Sequence, residues 1–127
     1  MKKFKIAALL MCFVAVSMVF TSCSKNEDLI IGKWKVTKVT EGDRVYTEGE
    51  EIGSIWEFKS DNTFTLSFEY AGQSMSVPGT YAINDDELTI TMYGEAETAT
   101  IDKLNKSKMI LSSVDEGVKI VEEFEKQ

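Results

Sequence analysis

The chain has 127 residues, 43% of them hydrophobic and 28% charged, with 21 acidic side chains against 14 basic ones and no histidine. That length supports one small domain, and a net charge of −7 argues against nucleic acid, whose phosphates are neutralised by Lys and Arg. With no histidine and only Cys12 and Cys23 as thiols, zinc sites and Ser-His or Cys-His nucleophile pairs are excluded, so neither a metal nor a cofactor is expected.

The first element is a leader. Lys2, Lys3 and Lys5 precede an apolar run from Ile6 to Phe20, and the small residues Thr21 and Ser22 stand directly before Cys23. A run of about 15 residues is shorter than the ~20 a helix needs to cross the hydrocarbon core, so a lasting transmembrane anchor is not expected. The stretch resembles a bacterial lipoprotein signal, with Phe20 where leucine is usual. The resemblance implies that residues 1–22 are removed and that Cys23 becomes the acylated first residue, carrying palmitate-type chains. The alternative is an ordinary signal peptide next to a free cysteine, but Cys12 would leave with the signal, so Cys23 would have no disulfide partner.

Residues 23–30 read as a lipidated tether. Ser24 to Asp28 looks like the acid-ended tag that sends lipoproteins of Bacteroidota-type bacteria to the outer face of the outer membrane, and it also suits a flexible linker. Cleavage leaves 105 of the 127 residues and moves the net charge from −7 to −10, because three lysines depart and every acid stays. Such a polypeptide is repelled by anionic lipid, so membrane attachment would fall to the acyl chains on Cys23.

From residue 31 to residue 127 the chain reads as short alternating runs between turn signals, the grammar of an antiparallel all-β domain. Gly32 to Thr40 is a strand carrying Trp34 and Val36, and Arg44 to Thr47 adds a short one. Trp56 and Phe58 lead into the turn Ser60-Asp61-Asn62, after which Phe64, Leu66 and Phe68 alternate with polar residues. Ser74 to Val77 follows Ala71-Gly72-Gln73, and Pro78-Gly79 predicts a bend or bulge before the strand of Tyr81 and Ile83. Asn84-Asp85-Asp86, Asn105-Lys106-Ser107 and Asp115-Glu116-Gly117 separate the remaining strands. Eight or nine locally joined strands whose ends pair would form a small antiparallel up-and-down barrel; a two-sheet sandwich would show similar alternation.

Particular residues sharpen this expectation. Gly32-Lys33-Trp34 is similar to the G-x-W motif of lipocalins, the run Trp56 to Phe64 resembles the first hairpin of bacterial lipocalin-like lipoproteins with Asn62 where glycine is frequent, and Gly79-Thr80-Tyr81 matches a strand start of that group. The resemblance spans Ile31 to Phe124 and implies a lipocalin-like barrel whose closed end is plugged by Trp34. The arginine that often packs over that tryptophan is missing, since Val118 to Gln127 holds only Lys119 and Lys126.

Function turns on the barrel interior. The expected inward set includes Trp34, Trp56, Phe58, Phe64, Leu66, Phe68, Tyr81, Ile120 and Phe124, bulky enough to fill most of an eight-stranded lumen. The end away from Trp34 is different: its long loops carry Tyr46, Tyr70 and Met75, the expected ligand contacts. The adjacent acids Glu50-Glu51, Asp85-Asp86 and Asp115-Glu116 fall at turns, where solvation explains them and no catalytic role is expected. Two readings follow: a lipid-anchored envelope protein taking a small apolar or amphipathic molecule at the barrel mouth, or a filled barrel that engages another envelope or secreted protein through its loops.

Overall fold

A computed structural model describes residues 24–127. The segment 1–22 and Cys23 lie outside the described residues. A short helix, α1 (Ser24–Ile30), is followed by nine strands: β1 (Gly32–Glu41), β2 (Arg44–Tyr46), β3 (Ile55–Phe58), β4 (Thr63–Tyr70), β5 (Gln73–Asn84), β6 (Glu87–Met92), β7 (Glu95–Leu104), β8 (Lys108–Asp115) and β9 (Val118–Lys126). All neighbours are antiparallel, and β1 pairs with β9 to close a barrel of eight strands with β2 as an extra. Closure excludes the open sandwich and satisfies the two edges that a meander would leave exposed.

Strand β1 organises the wall. Its first half pairs with β3 from Gly32↔Phe58 to Lys35↔Ile55, while its last residues pair on the same edge with β2, from Val39↔Tyr46 to Glu41↔Arg44. A bulge between Val36 and Lys38 lets both Val36 and Val39 face the core, because one extra residue resets the alternation. Three hairpins at the open end turn through consecutive positive-φ pairs, Ala71-Gly72, Tyr93-Gly94 and Glu116-Gly117, the geometry that matches strand twist.

Two departures from the sequence reading have physical causes. Residues 24–30, expected as a tether, form α1, and its last residue, Ile30, is fully buried under the barrel. Two adjacent apolar side chains, Leu29 and Ile30, at the end of a seven-residue helix leave too little periodicity to see in sequence. The bend expected at Pro78-Gly79 is absent, and β5 runs unbroken through both. Pro78 sits opposite Thr65 on β4, but pairing with β6 begins only at Thr80, so its missing N–H falls on a free stretch of edge. Gly79 serves a different purpose: a Cβ there would meet the Thr91 carbonyl and lie 2.8 Å from Met92 Cγ.

Candidate functional site

The barrel floor determines how much lumen remains. Trp34 is fully buried at the start of β1 and its indole N–H donates to the Ile30 carbonyl at 2.9 Å, tying plug to helix. Lys126, directly opposite on β9, places its ammonium 4.7 Å from the Trp34 ring centroid. It fills the place in which the sequence reading missed an arginine, with a cation over an aromatic face. Gly32 is glycine for this reason, since its φ of 131° suits no side chain and a Cβ would collide with Lys126 Cε. The second half of the floor is the Asp61 turn: Asp61 accepts from the Thr63 amide and hydroxyl, which lowers its pKa, and Asn62 takes the left-handed φ of 70°. The Tyr81 hydroxyl donates to the Lys59 carbonyl at 2.8 Å, and burial raises its pKa.

Above this lies a layer of rings. Trp56 meets Phe124 edge-on at 4.8 Å and Phe64 at 5.5 Å, while Phe58 packs 5.0 Å from both Phe64 and Tyr81. With Leu88, Met109 and Leu111 fully buried around it, this layer fills the lower lumen as the sequence reading expected.

The upper lumen carries a different chemistry. Residues directly opposite on antiparallel strands share a face. Glu122 lies between Val39 of β1 and Leu111 of β8, both buried, so its carboxylate points inward one level above Phe124. Glu97, opposite the core residue Ile90, points inward as well. Glu122 is enclosed on nearly every side, keeps a residual exposure to the cup above, and makes no hydrogen bond or ion pair among the described residues. Burial, reinforced by the nearby charges of Glu51 and Glu97, raises its pKa to about 7. Its neighbour Glu123 faces outward and is held by Lys38 at 3.7 Å and Lys108 at 3.5 Å. One step along β9 thus separates a neutralised carboxylate from an unpartnered one.

The wall of the cup has a gap. Strand β3 ends its pairing with β4 at Ile55↔Ser67, so Phe68 to Tyr70 have no strand partner on that edge, and β2 does not reach across. The loop of residues 47–54 folds into this space, anchored by the exchange of backbone bonds between Val36 and the pair Gly53 and Ser54. Between loop and strands runs a half-open groove of about 590 Å³, whose lining includes Glu50, Ile52, Phe68 and Met75.

The expected contacts separate here. Met75 lines the groove opposite Phe68, and Tyr70 is its diagonal neighbour on the same face of the β4–β5 hairpin. Tyr46 faces the same interior from β2, opposite Val39, but is not part of the groove; it is hydrogen-bonded to Arg44, whose pKa this raises. Of the paired acids, Glu50-Glu51 sit in the groove loop, Asp115-Glu116 at an open-end turn and Asp85-Asp86 at the closed end, where Asn26 of α1 donates to the Asp85 carbonyl. No group of three or more Asp, Glu or Cys residues converges at metal-binding distance among the described residues. The sequence reading passed over Glu122, although Ile120 and Phe124, both expected inward, place it between them on the same face.

An eight-stranded antiparallel barrel with a tryptophan-plugged floor is a lipocalin-type fold. The chain belongs to the lipocalin-like domain family, whose sequence profile matches residues 30–111. It is similar in fold to a lipocalin-like protein from Bacteroides uniformis, with a TM-score of 0.63 at 18% identity, covering 77% of this chain and 98% of that one. A protein from Bacteroides eggerthii gives a TM-score of 0.62 at 20% identity over 77% of this chain and 99% of its own. A redesigned β-barrel superimposes with a TM-score of 0.50 at 17% identity over 84% and 97%. No curated protein sequence matches the chain.

Proposed function

We propose that this protein is a non-catalytic binding protein of the bacterial cell envelope, anchored through acyl chains on Cys23, that takes a small apolar or amphipathic molecule in the upper barrel. The observation that carries this reading is the division of the barrel: a packed aromatic floor below, and at the open end the inward-facing Phe68 and Met75, which also line a groove of about 590 Å³, within the range of small-molecule sites. Phe68, Met75 and Ile52 supply apolar surface there, and Tyr70 stands at its lip.

A second reading, engagement of a protein partner by the loops, is favoured by one observation. Large apolar side chains lie exposed along the open end, among them Tyr93 at 85%, Val114 at 70% and Tyr70 at 58%, and Tyr93 does so from a left-handed turn position. Native mass spectrometry of the protein purified from its own host separates the two. The ligand reading expects a small non-covalent adduct that disappears on denaturation and is lost when Tyr70 and Met75 are changed to serine, with melting unchanged. Co-purification of a polypeptide with no small adduct would favour the second reading.

A further inference from the structure

The chemical class of ligand is written in the contrast between Glu122 and its surroundings; this inference rests on the ligand-binding reading above. We propose that the upper barrel takes an amphipathic organic cation, an apolar body ending in a protonated amine, with the ammonium seated on Glu122 and the apolar part against Phe68, Met75 and Ile120.

Four observations carry it. Glu122 is aimed into the cup, enclosed, and without a hydrogen bond or ion pair among the described residues. A buried charge of this kind is costly unless a partner arrives. The partner does not come from the barrel. On the faces around Glu122 the charged groups are Glu41 of β1, Glu51 of the loop, Glu95 and Glu97 of β7 and Asp115 of β8, all acidic. The inward cations stand apart: Arg44 is at the rim beside Glu41 and Tyr46, and Lys126 is below the aromatic floor on Trp34.

The acidic field excludes a carboxylate headgroup, because a fatty acid would bring a further negative charge into a cup that already destabilises its own. It also argues against a bare divalent cation, since the carboxylates do not converge as a ligand set. An ammonium needs only one well-placed carboxylate and tolerates an apolar wall. The apolar half comes from inward-facing positions of the upper barrel: Ile120 lies two positions along β9 from Glu122 on the same face, and Phe68 and Met75 are paired on the inner face of β4 and β5.

The test compares octylamine, 1-octanol and octanoate on the purified full-length chain by titration calorimetry, with the Glu122→Gln variant beside the wild type. The amine should bind at least roughly tenfold tighter than the alcohol, with octanoate weakest, and the variant should lose that preference while keeping its affinity for the alcohol. Affinity for the amine should also fall between about pH 8 and about pH 5.5 in the wild type and stay flat in the variant, as Glu122 takes up a proton. If all three probes bind alike, or the variant retains the preference, the cup holds ligands but the cation assignment is wrong. If none of them binds, the ligand-binding reading itself fails.

Discussion

Glu122 carries an internal electrostatic load that can be measured without any ligand. Its folded-state pKa of about 7 lies above its ordinary value of 4.5, so the folded protein holds this proton more tightly than the unfolded chain. The associated stability is fully present below pH 4.5 and is lost as the pH rises through about 7, amounting to roughly 3 kcal/mol at the alkaline end. Glu122→Gln keeps the shape and removes the load. The variant should therefore melt well above the wild type near pH 8, and the two curves should converge near pH 4. A gap that did not change with pH would mean that Glu122 is solvated. This residue was legible in principle, because strict alternation on β9 places it inward between Ile120 and Phe124. What hid it is that hydrophobicity is the usual marker of an inward position, and a carboxylate in that row carries the opposite label.

At the scale of elements, hairpins are the part of the fold that sequence discloses most fully, since turn chemistry and alternation are both local. Ser60-Asp61-Asn62 and Ala71-Gly72 lie where the chain reverses, and Asn62 adopts the positive φ that its replacement of glycine implies. Long-range facts are less legible. The free edge that tolerates Pro78 exists only because β6 is shorter than β5, which no local pattern in β5 records. The split partnership of β1 and the gap it opens depend in the same way on a loop that returns to Val36 by backbone bonds alone. Helix α1 is the sharpest case, with polar residues throughout its first turns and a single buried anchor at Ile30. Ile30→Ala should cost about 2 to 4 kcal/mol, because it removes buried side-chain atoms beneath Trp34. Urea unfolding would show it, and an unchanged midpoint would return the segment to the status of a linker.

The whole molecule combines a strongly acidic domain with an N-terminal segment that contains the longest apolar run in the chain. Among the described residues no helix is long and apolar enough to cross a membrane. On the lipoprotein reading, membrane attachment depends on one residue, Cys23. Cys23→Ala should move the protein from the membrane fraction to the soluble fraction and abolish acyl labelling, because the domain's acidity offers anionic lipid nothing to hold. Retention in high salt would show another anchor at work.

Helix α1 gives that attachment a direction. Its seven residues span only about 10 Å, and they are fastened at the plugged end of the barrel by Ile30, by the indole of Trp34 and by Asn26 on the β5–β6 turn. A chain held at Cys23 would thus be held by its stopper, standing on the bilayer like an upright flask. The neck, with its groove and acidic cup, would face away from the lipid, sampling what diffuses past the cell rather than what is dissolved in the membrane. The lipid would be the mooring, and the cargo would come from the other side.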